Sequence, residues 1–299
     1  MTTGRQQPGV VEAAPAKLNL ALHVTGQRGD GYHELESLVT FCRDASDQIS
    51  VDIADSDLFS LSGSMASRIE GSDNLVLLAR DWLRNRRPSI VSPVEIYLEK
   101  TLPVSSGIGG GSADAAATLR ALCRLWGVEV DTLSMDQLAF ELGADVPMCV
   151  LSRPALASGI GERLTRVPAM PEFAIVLVNP GLPVSTPAVF RALPCKQNDA
   201  LSLDTPATAD LNSWLAYLAT TRNDLEAPAI GLVAEIAEVL EALGLERARL
   251  ARMSGSGATC FGIFDTLDAA RAAERSLRTR HPDWYVVATR TTASTESPA

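Results

Sequence analysis

Leu102-Pro103-Val104-Ser105-Ser106-Gly107-Ile108-Gly109-Gly110-Gly111-Ser112-Ala113-Asp114-Ala115-Ala116-Ala117 is the stretch on which the fold is read. Four of the five residues from 107 to 111 are glycine, so successive backbone N–H groups can turn toward one concave point with no Cβ in the way. The alanine-rich sequence that follows has strong helix propensity and sets a helix N-terminus at the same point. Free N–H donors and the positive end of a helix dipole together make a phosphate cradle. Upstream, Val94-Glu95-Ile96-Tyr97-Leu98-Glu99-Lys100 alternates apolar and polar residues as a half-buried strand does. Strand, glycine loop and helix is a nucleotide-binding order, but G-x-x-x-x-G-K-[ST] is absent. The following segment also lacks the second strand ending in an acidic residue that a dinucleotide fold needs. The competing reading, a flexible glycine linker, would set that linker between a strand and a regular helix, where linkers seldom lie.

The 299-residue chain is 46% hydrophobic, 21% charged and 5% aromatic, the profile of a globular protein of one or two domains. Its formal charge of −10 argues against general affinity for nucleic acid or an anionic membrane. A polyphosphate must then be held locally, by loop amides, a helix end, a divalent metal and a few placed lysines. Lys17, Lys100 and Lys196 are the only lysines; every other Lys/Arg position is arginine. Cys42, Cys123, Cys149, Cys195 and Cys260 show no C-x-x-C spacing and read as reduced, mostly buried thiols, with neither disulfides nor zinc. The chain opens without a signal-like apolar core and has no stretch apolar enough to span a bilayer. The expectation is a soluble cytoplasmic protein.

Periodicity divides the chain into two halves, 1–165 and 166–299. In the first, strands are expected at about 10–24, 37–43, 48–53 and 58–61, and an amphipathic helix over 73–87 on Leu75, Leu78, Ala79 and Leu83. The helix after the glycine loop runs 112–126 and ends at Gly127; a capping box at Ser134 and Gln137 starts another that stops at Gly143. In the second, a buried strand is expected at 173–178, and Thr186-Pro187 reads as N-cap and N1 of a short helix. An irregular stretch over 194–210 is followed by helix 229–243, strands 249–253 and 258–264, helix 267–280 and strand 284–290, a β-α-β-β-α-β-like order. The polar tail 291–299 reads as frayed.

Four further blocks carry candidate chemistry. In Ala14-Pro15-Ala16-Lys17-Leu18-Asn19-Leu20-Ala21-Leu22, a period of two sets Lys17, Asn19 and Ala21 on one face and the leucines on the other. A lysine and an amide together can hold phosphate and hydroxyl oxygens; alternatively they are solvated residues of an edge strand. The turn Gly26-Gln27-Arg28-Gly29-Asp30-Gly31-Tyr32-His33 ends in a ring stacker and a hydrogen-bonding imidazole, or in two satisfied structural residues. In Leu142-Gly143-Ala144-Asp145-Val146-Pro147, the acid either caps a turn, which its local context favours, or accepts a proton. Ser254-Gly255-Ser256-Gly257 permits close backbone approach to a ligand or to the first loop.

In order, P-x-K-x-N, G-x-x-x-D-G-Y-H, P-x-x-x-G-x-G-G-G-S-A-D-A-A, G-A-D-V-P and S-G-S-G resemble the GHMP kinase superfamily, named for galactokinase, homoserine, mevalonate and phosphomevalonate kinases. A-K-L-N-L and D-G-Y-H-E-L are similar to its branch whose acceptor alcohol carries a cytidine diphosphate. The likeness covers roughly residues 12–265 and is weakest over 194–222. It implies an α+β, two-domain GHMP kinase fold, with a ribosomal-S5-like N-terminal domain, a ferredoxin-like C-terminal domain and the active site in the cleft between them. It implies ATP-dependent phosphorylation of a hydroxyl of a cytidine diphosphate sugar-alcohol, with Mg²⁺. By position, Asp145 would be the base and Lys17 its charge partner. Pro103, Val104, Ser105, Ser106, Gly107, Ile108, Gly109, Gly110, Gly111, Ser112 and Ala113 would wrap the ATP phosphates, with Asn74 and Lys100 near the nucleotide. Tyr32 and Phe190 would sandwich the cytosine, His33 would pair with its edge, and Asn19 and Thr186 would hold the diphosphate or sugar-alcohol end. Ser112 is the candidate metal contact. Asp114 departs from the pattern and reads as an acidic first-turn residue. The expected partners are these small molecules, with no nucleic acid and no membrane, for a monomer or weak homodimer. Two alternatives remain at this point. One is another GHMP small-molecule kinase acting on mevalonate, homoserine or a sugar, whose substrates have no base for the Asp-Gly-Tyr-His turn. The other is a nucleotide-binding regulator without catalysis, which would not need both Lys17 and Asp145.

Overall fold

A hairpin of two long strands, β1 (Val10–Gln27) and β2 (His33–Ile53), is the spine of the fold in the computed structural model, which describes residues 9–68, 74–87, 92–130 and 133–294. Strands β3 (Leu58–Ser62), β4 (Val94–Glu99), β5 (Ala155–Gly159) and β6 (Arg163–Arg166) complete a sheet of order β3-β4-β2-β5-β6, with β1 also paired to β2. Helices α1 (Leu75–Arg86) and α2 (Gly110–Trp126) cover one face, burying Val39, Phe41, Ile49, Val51 and Ile96 against Val76, Leu83, Leu119 and Leu122. Two short helices, α3 (Met135–Glu141) and α4 (Val146–Leu151), lead from α2 to β5.

The second sheet holds β7 (Ala174–Asn179), β8 (Leu250–Met253), β9 (Cys260–Phe264) and β10 (Tyr285–Arg290) in the order β10-β7-β9-β8. Between β7 and β8 run α5 (Thr186–Ala192), α6 (Leu211–Ala219), α7 (Glu226–Leu232) and α8 (Glu235–Leu245); α9 (Leu267–Arg280) joins β9 to β10. This β-α-β-β-α-β path and all-antiparallel pairing are ferredoxin-like. A further core spans the two sheets: Leu18, Leu20 and Leu38 pack with Phe173, Ile175, Leu177, Phe261, Ile263 and Trp214, all fully buried. Each such side chain stabilises by about 1.5–3 kcal/mol, so the seam between the sheets is a packed interior and the cleft along it has a fixed shape. No described helix is long and apolar enough to cross a membrane.

Several expectations are corrected. The strands expected at 37–43 and 48–53 are the single strand β2, because Ser46 and Asp47 stay extended and pair with Pro15 and Ala14. Helix α2 begins at Gly110 rather than Ser112, since left-handed Gly109 already turns the chain. The N-cap of α5 is Ser185, whose Oγ accepts from the Ala188 amide, and Thr186 is its first helical residue. The helix expected over 229–243 is two helices, broken where Val233 turns extended. On α1, Trp82 joins the buried face and Leu78 is exposed; α1 starts at Leu75 behind the cap Asn74, and position 73 lies outside the described residues. Helices α4 and α6 and strands β5 and β6 were not expected. At the C-terminal end Thr292 and Ser294 donate backbone bonds to Phe41 and Met170, so 291–294 is tied down, and 295–299 lies outside the described residues, as do 1–8.

Candidate active site

The glycine loop is held from both sides. The Lys17 amide donates to Ile108 O at 2.9 Å, fixing the loop to β1. Gly107 has a φ of +77°, and a Cβ there would lie 2.4 Å from Ser254 O and 2.7 Å from Gly257 N. Ser254 Oγ donates to Gly107 O at 3.0 Å, and the Thr259 amide donates to Ser106 O at the same distance. The second glycine cluster therefore packs on the first loop, and its Gly255 and Ser256 also face the cleft. Gly109, with a φ of +64°, precedes α2, so the helix N-terminus opens where the loop ends.

Against this loop lies a polar chain. Asp145 holds the N-cap position of α4, yet its side chain caps nothing; its Oδ2 is 3.1 Å from Lys17 Nζ instead, so the turn-cap reading is overturned. Lys17 Nζ donates to Asn19 Oδ1 at 2.8 Å, Asn19 Nδ2 to Ser37 Oγ at 2.7 Å, and Ser37 Oγ to Ala21 O at 2.7 Å. Each donor in this series fixes the orientation of the next group. Lys17 is 5% exposed and Asp145 38%, so the ammonium is sheltered while the carboxylate meets the cleft. Two of the three ammonium N–H groups are taken, leaving one for a ligand oxygen. Irregular pairing of β1 between Asn19 and Ala21 moves Ala21 off the Lys17 face and into the core with Leu18 and Leu20, contrary to the strict alternation expected.

Lys100 is buried beneath the loop, 2.6 Å from Asp47 Oδ2 and 2.5 Å from Asp114 Oδ2. Asp47 Oδ1 accepts from the amides of Thr101 and Leu102, whereas Asp114 Oδ1 is buried without a partner. Two carboxylates on one ammonium leave a surplus negative charge. Burial pushes Asp114 up, more than the Lys100 charge holds it down, to about 7. Asp114 is thus no exposed first-turn acid: α2 begins at Gly110, so Asp114 lies in the second turn and faces inward.

At the other end, Tyr32 stands 58% exposed on the β1–β2 turn. His33 stacks on Phe190 with ring centroids 4.6 Å apart, so one face of Phe190 is already covered and a base can reach only the other. Burial, then the charge of Lys196, lowers the His33 pKa. The hydroxyls of Thr186 and Ser256 share a hydrogen bond of 2.6 Å. Asn74 caps α1, accepting from the Val76 amide at 2.9 Å.

All the residues nominated from sequence except Pro103, Ile108 and Ala113 line one cleft of about 1260 Å³ between the sheets. Those three are buried behind it and support the loop backbone. Sequence reasoning missed Ser37, Asp47 and Arg191 as members or supports of the site, whereas the block from Ser254 to Gly257 packs on the first loop as its small residues led one to expect. Among the described residues no group of three or more His, Cys, Asp or Glu could hold a metal by itself.

Two family models match the chain: the GHMP kinases N terminal domain over residues 74–153 and the GHMP kinases C terminal domain over 204–283. A 4-diphosphocytidyl-2-C-methyl-D-erythritol kinase of Rhizobium etli is 54% identical over 284 residues, 95% of each chain. A crystal structure of 4-(cytidine 5'-diphospho)-2C-methyl-D-erythritol kinase superposes with a TM-score of 0.77 at 35% identity, covering 94% of this chain and 98% of that one. A homoserine kinase from Cytophaga hutchinsonii shares the fold, with a TM-score of 0.70 at 17% identity over 98% of this chain and 99% of its own.

Proposed function

The chain belongs to the GHMP kinases and, within them, to the 4-diphosphocytidyl-2-C-methyl-D-erythritol kinase family, and on that premise we propose that it transfers the γ-phosphoryl of ATP to the 2-hydroxyl of 4-diphosphocytidyl-2-C-methyl-D-erythritol. The reaction belongs to the non-mevalonate route to isoprenoids. The observation that carries the reading is the contact of the Lys17–Asp145 pair with the phosphate loop. A Cβ on Gly109 would stand 3.2 Å from Lys17 Cε and 3.7 Å from Asp145 Oδ2. A hydroxyl resting on Asp145 therefore lies next to whatever phosphate the loop holds.

Asp145 takes the proton of the acceptor hydroxyl as its oxygen bonds to the γ-phosphorus, and the bond from that phosphorus to the ADP oxygen breaks. Lys17 holds Asp145 turned toward the acceptor, and its remaining N–H stabilises the transferring phosphoryl. Phosphoryl transfer needs positioning and charge compensation more than covalent chemistry, and loop amides with a helix end supply both. Mg²⁺ fits a donor set this sparse, because it keeps waters and binds mainly through nucleotide phosphates; Ser112 would be its protein contact, and it would neutralise charge on the phosphates. At the far lip Tyr32 and the free face of Phe190 stack the cytosine, and His33, stacked on the other face of Phe190, backs that ring and is too far from the base to read its edge. Mevalonate and homoserine have no ring for that lip, and a non-catalytic regulator has no use for a carboxyl held by Lys17 against the loop.

A coupled ADP-release assay across acceptor alcohols tests the proposal. Turnover is expected with 4-diphosphocytidyl-2-C-methyl-D-erythritol and none with mevalonate or homoserine. Efficient turnover of either of those, or ADP release with no acceptor in the panel, would overturn it.

A further inference from the structure

The third lysine of the chain has no role in the scheme above. Lys196 lies between α5 and α6 and lines the cleft beside Gln27, His33 and Phe190. Its Nζ donates to Gln27 Oε1 at 3.0 Å, and Gln27 Nε2 donates to Gly31 O at 3.3 Å. Lys17 is matched by Asp145, and Lys100 by Asp47 and Asp114. Among the described residues Lys196 forms no ion pair, so its charge stands unneutralised in a chain of net charge −10.

Lys196 is exposed at the cleft, but the backbone that carries it is fixed. Both the backbone N–H and Nδ2 of Asn198 donate to Val24 O, at 3.1 and 3.0 Å, and the Leu201 amide donates to Glu36 Oε2 at 2.7 Å. His23 Nδ1 bonds Asp199 O at 3.0 Å. The 195–201 segment is thereby strapped to the same hairpin that carries Tyr32 and His33. Lys196 is close enough to His33 to depress its protonation, which sets the ammonium near the base end of the acceptor site.

We propose that Lys196 binds the diphosphate of the acceptor, as the cation between the base-stacking lip and the Lys17–Asp145 pair. This rests on the acceptor being a cytidine diphosphate ester. A diphosphate joined to a base through one ribose falls within reach of a four-carbon ammonium stem anchored beside that base. The loop amides are committed to the other nucleotide, and Lys17 to the reacting hydroxyl. An ammonium whose existing partner is a neutral amide oxygen gives that contact up for a phosphate oxygen at little cost, since charge-assisted bonds are the stronger.

The test separates charge from strapping. With the phosphate loop saturated by a non-hydrolysable ATP analogue, calorimetry measures cytidine and cytidine 5'-diphosphate binding to wild type, Lys196→Gln and Lys196→Arg. Wild type should prefer the diphosphate, with an advantage that shrinks as salt rises. Lys196→Gln should lose about 10-fold or more on the diphosphate, stay within about 2-fold on cytidine, and lose the salt dependence; Lys196→Arg should keep most of the preference. In turnover, the acceptor KM should rise while kcat and the ATP KM hold. Equal losses on both probes would show a strap and overturn the proposal, as would an unchanged diphosphate affinity. Wild type that binds neither probe would instead overturn the cytidine acceptor itself.

Discussion

Replacing Asp145 by asparagine preserves shape and removes the charge and the basicity. General-base assistance is worth roughly 10²–10⁴ in rate, about 3–5 kcal/mol of transition-state stabilisation. The effect on stability is far smaller. Asp145 is 38% exposed, and its pairing with Lys17 at 3.1 Å is weakened by solvent screening, so its loss costs on the order of 1 kcal/mol or less. Lys17 also keeps its bond to Asn19. The nucleotide loop depends on Lys17 through the backbone bond to Ile108 O, which the substitution does not touch. Steady-state turnover, calorimetric ATP affinity and thermal melting should therefore separate: kcat down by at least about two decades, ATP affinity within a few-fold, melting shifted by a few degrees at most. A variant with near-normal kcat would show that Asp145 merely begins α4. Loss of ATP affinity in step with kcat would show that the pair shapes the loop and takes no part in proton transfer.

Gly107→Ala places a Cβ 2.4 Å from Ser254 O at a φ of +77°, and should cost more than about 1 kcal/mol in melting with weaker ATP binding; unchanged melting and affinity would refute the interlocked loops. Tyr32→Ala should weaken acceptor binding by about 1–3 kcal/mol with ATP affinity within a few-fold, and an equal loss of ATP affinity would place Tyr32 outside the acceptor lip. Asp114, raised to about 7 by burial against the pull of Lys100, binds its proton more tightly folded than unfolded. Its contribution to stability is then full below about pH 4 and lost as pH rises through about 7. Asp114→Asn should flatten that decline in melting temperature between those limits, and an identical profile in the variant would refute the assignment.

The glycine loop and the helix start after it were legible in the sequence because their physics is local: glycines, a helix start and their order need nothing from elsewhere in the chain. Lys17 and Asn19 were legible by alternation, but the fate of Ala21 was not, because the irregular pairing after Asn19 depends on how β2 meets β1. Asp145 misled for a similar reason. Beside a helix start and a proline, local context favours a cap, and only the approach of β1, more than a hundred residues away in sequence, supplies the lysine that claims it. The proposed acceptor lip joins the β1–β2 turn, α5, the segment after it and the second glycine cluster, so no window of sequence contains it. Helix α6 carries a readable start in Asp210, whose carboxylate accepts from the Ser213 amide, but it follows a stretch of Pro, Asp and Thr that hid its onset.

The three lysines share one cleft and differ in how far the protein neutralises them. Lys100 faces two carboxylates in a buried site, and a charge so fully matched serves to tie β4 and β2 to α2 beneath the loop. Lys17 has one carboxylate partner, partly open to the cleft, an amide oxygen, and one free donor, the arrangement suited to a group that must hold a base and also meet a phosphoryl. Lys196 has only an amide oxygen, and a cation left this way on the exposed wall of an acidic protein's cleft is free to meet an arriving anion. On this ordering, the same ammonium group supports structure, assists transfer or recruits substrate according to the carboxylates folded around it. Lys100→Met should then act chiefly on melting, through the two carboxylates it leaves buried and unpaired, whereas Lys196→Gln should act on the acceptor KM alone. A Lys100 variant that melts like wild type would break the ordering at its firmest point.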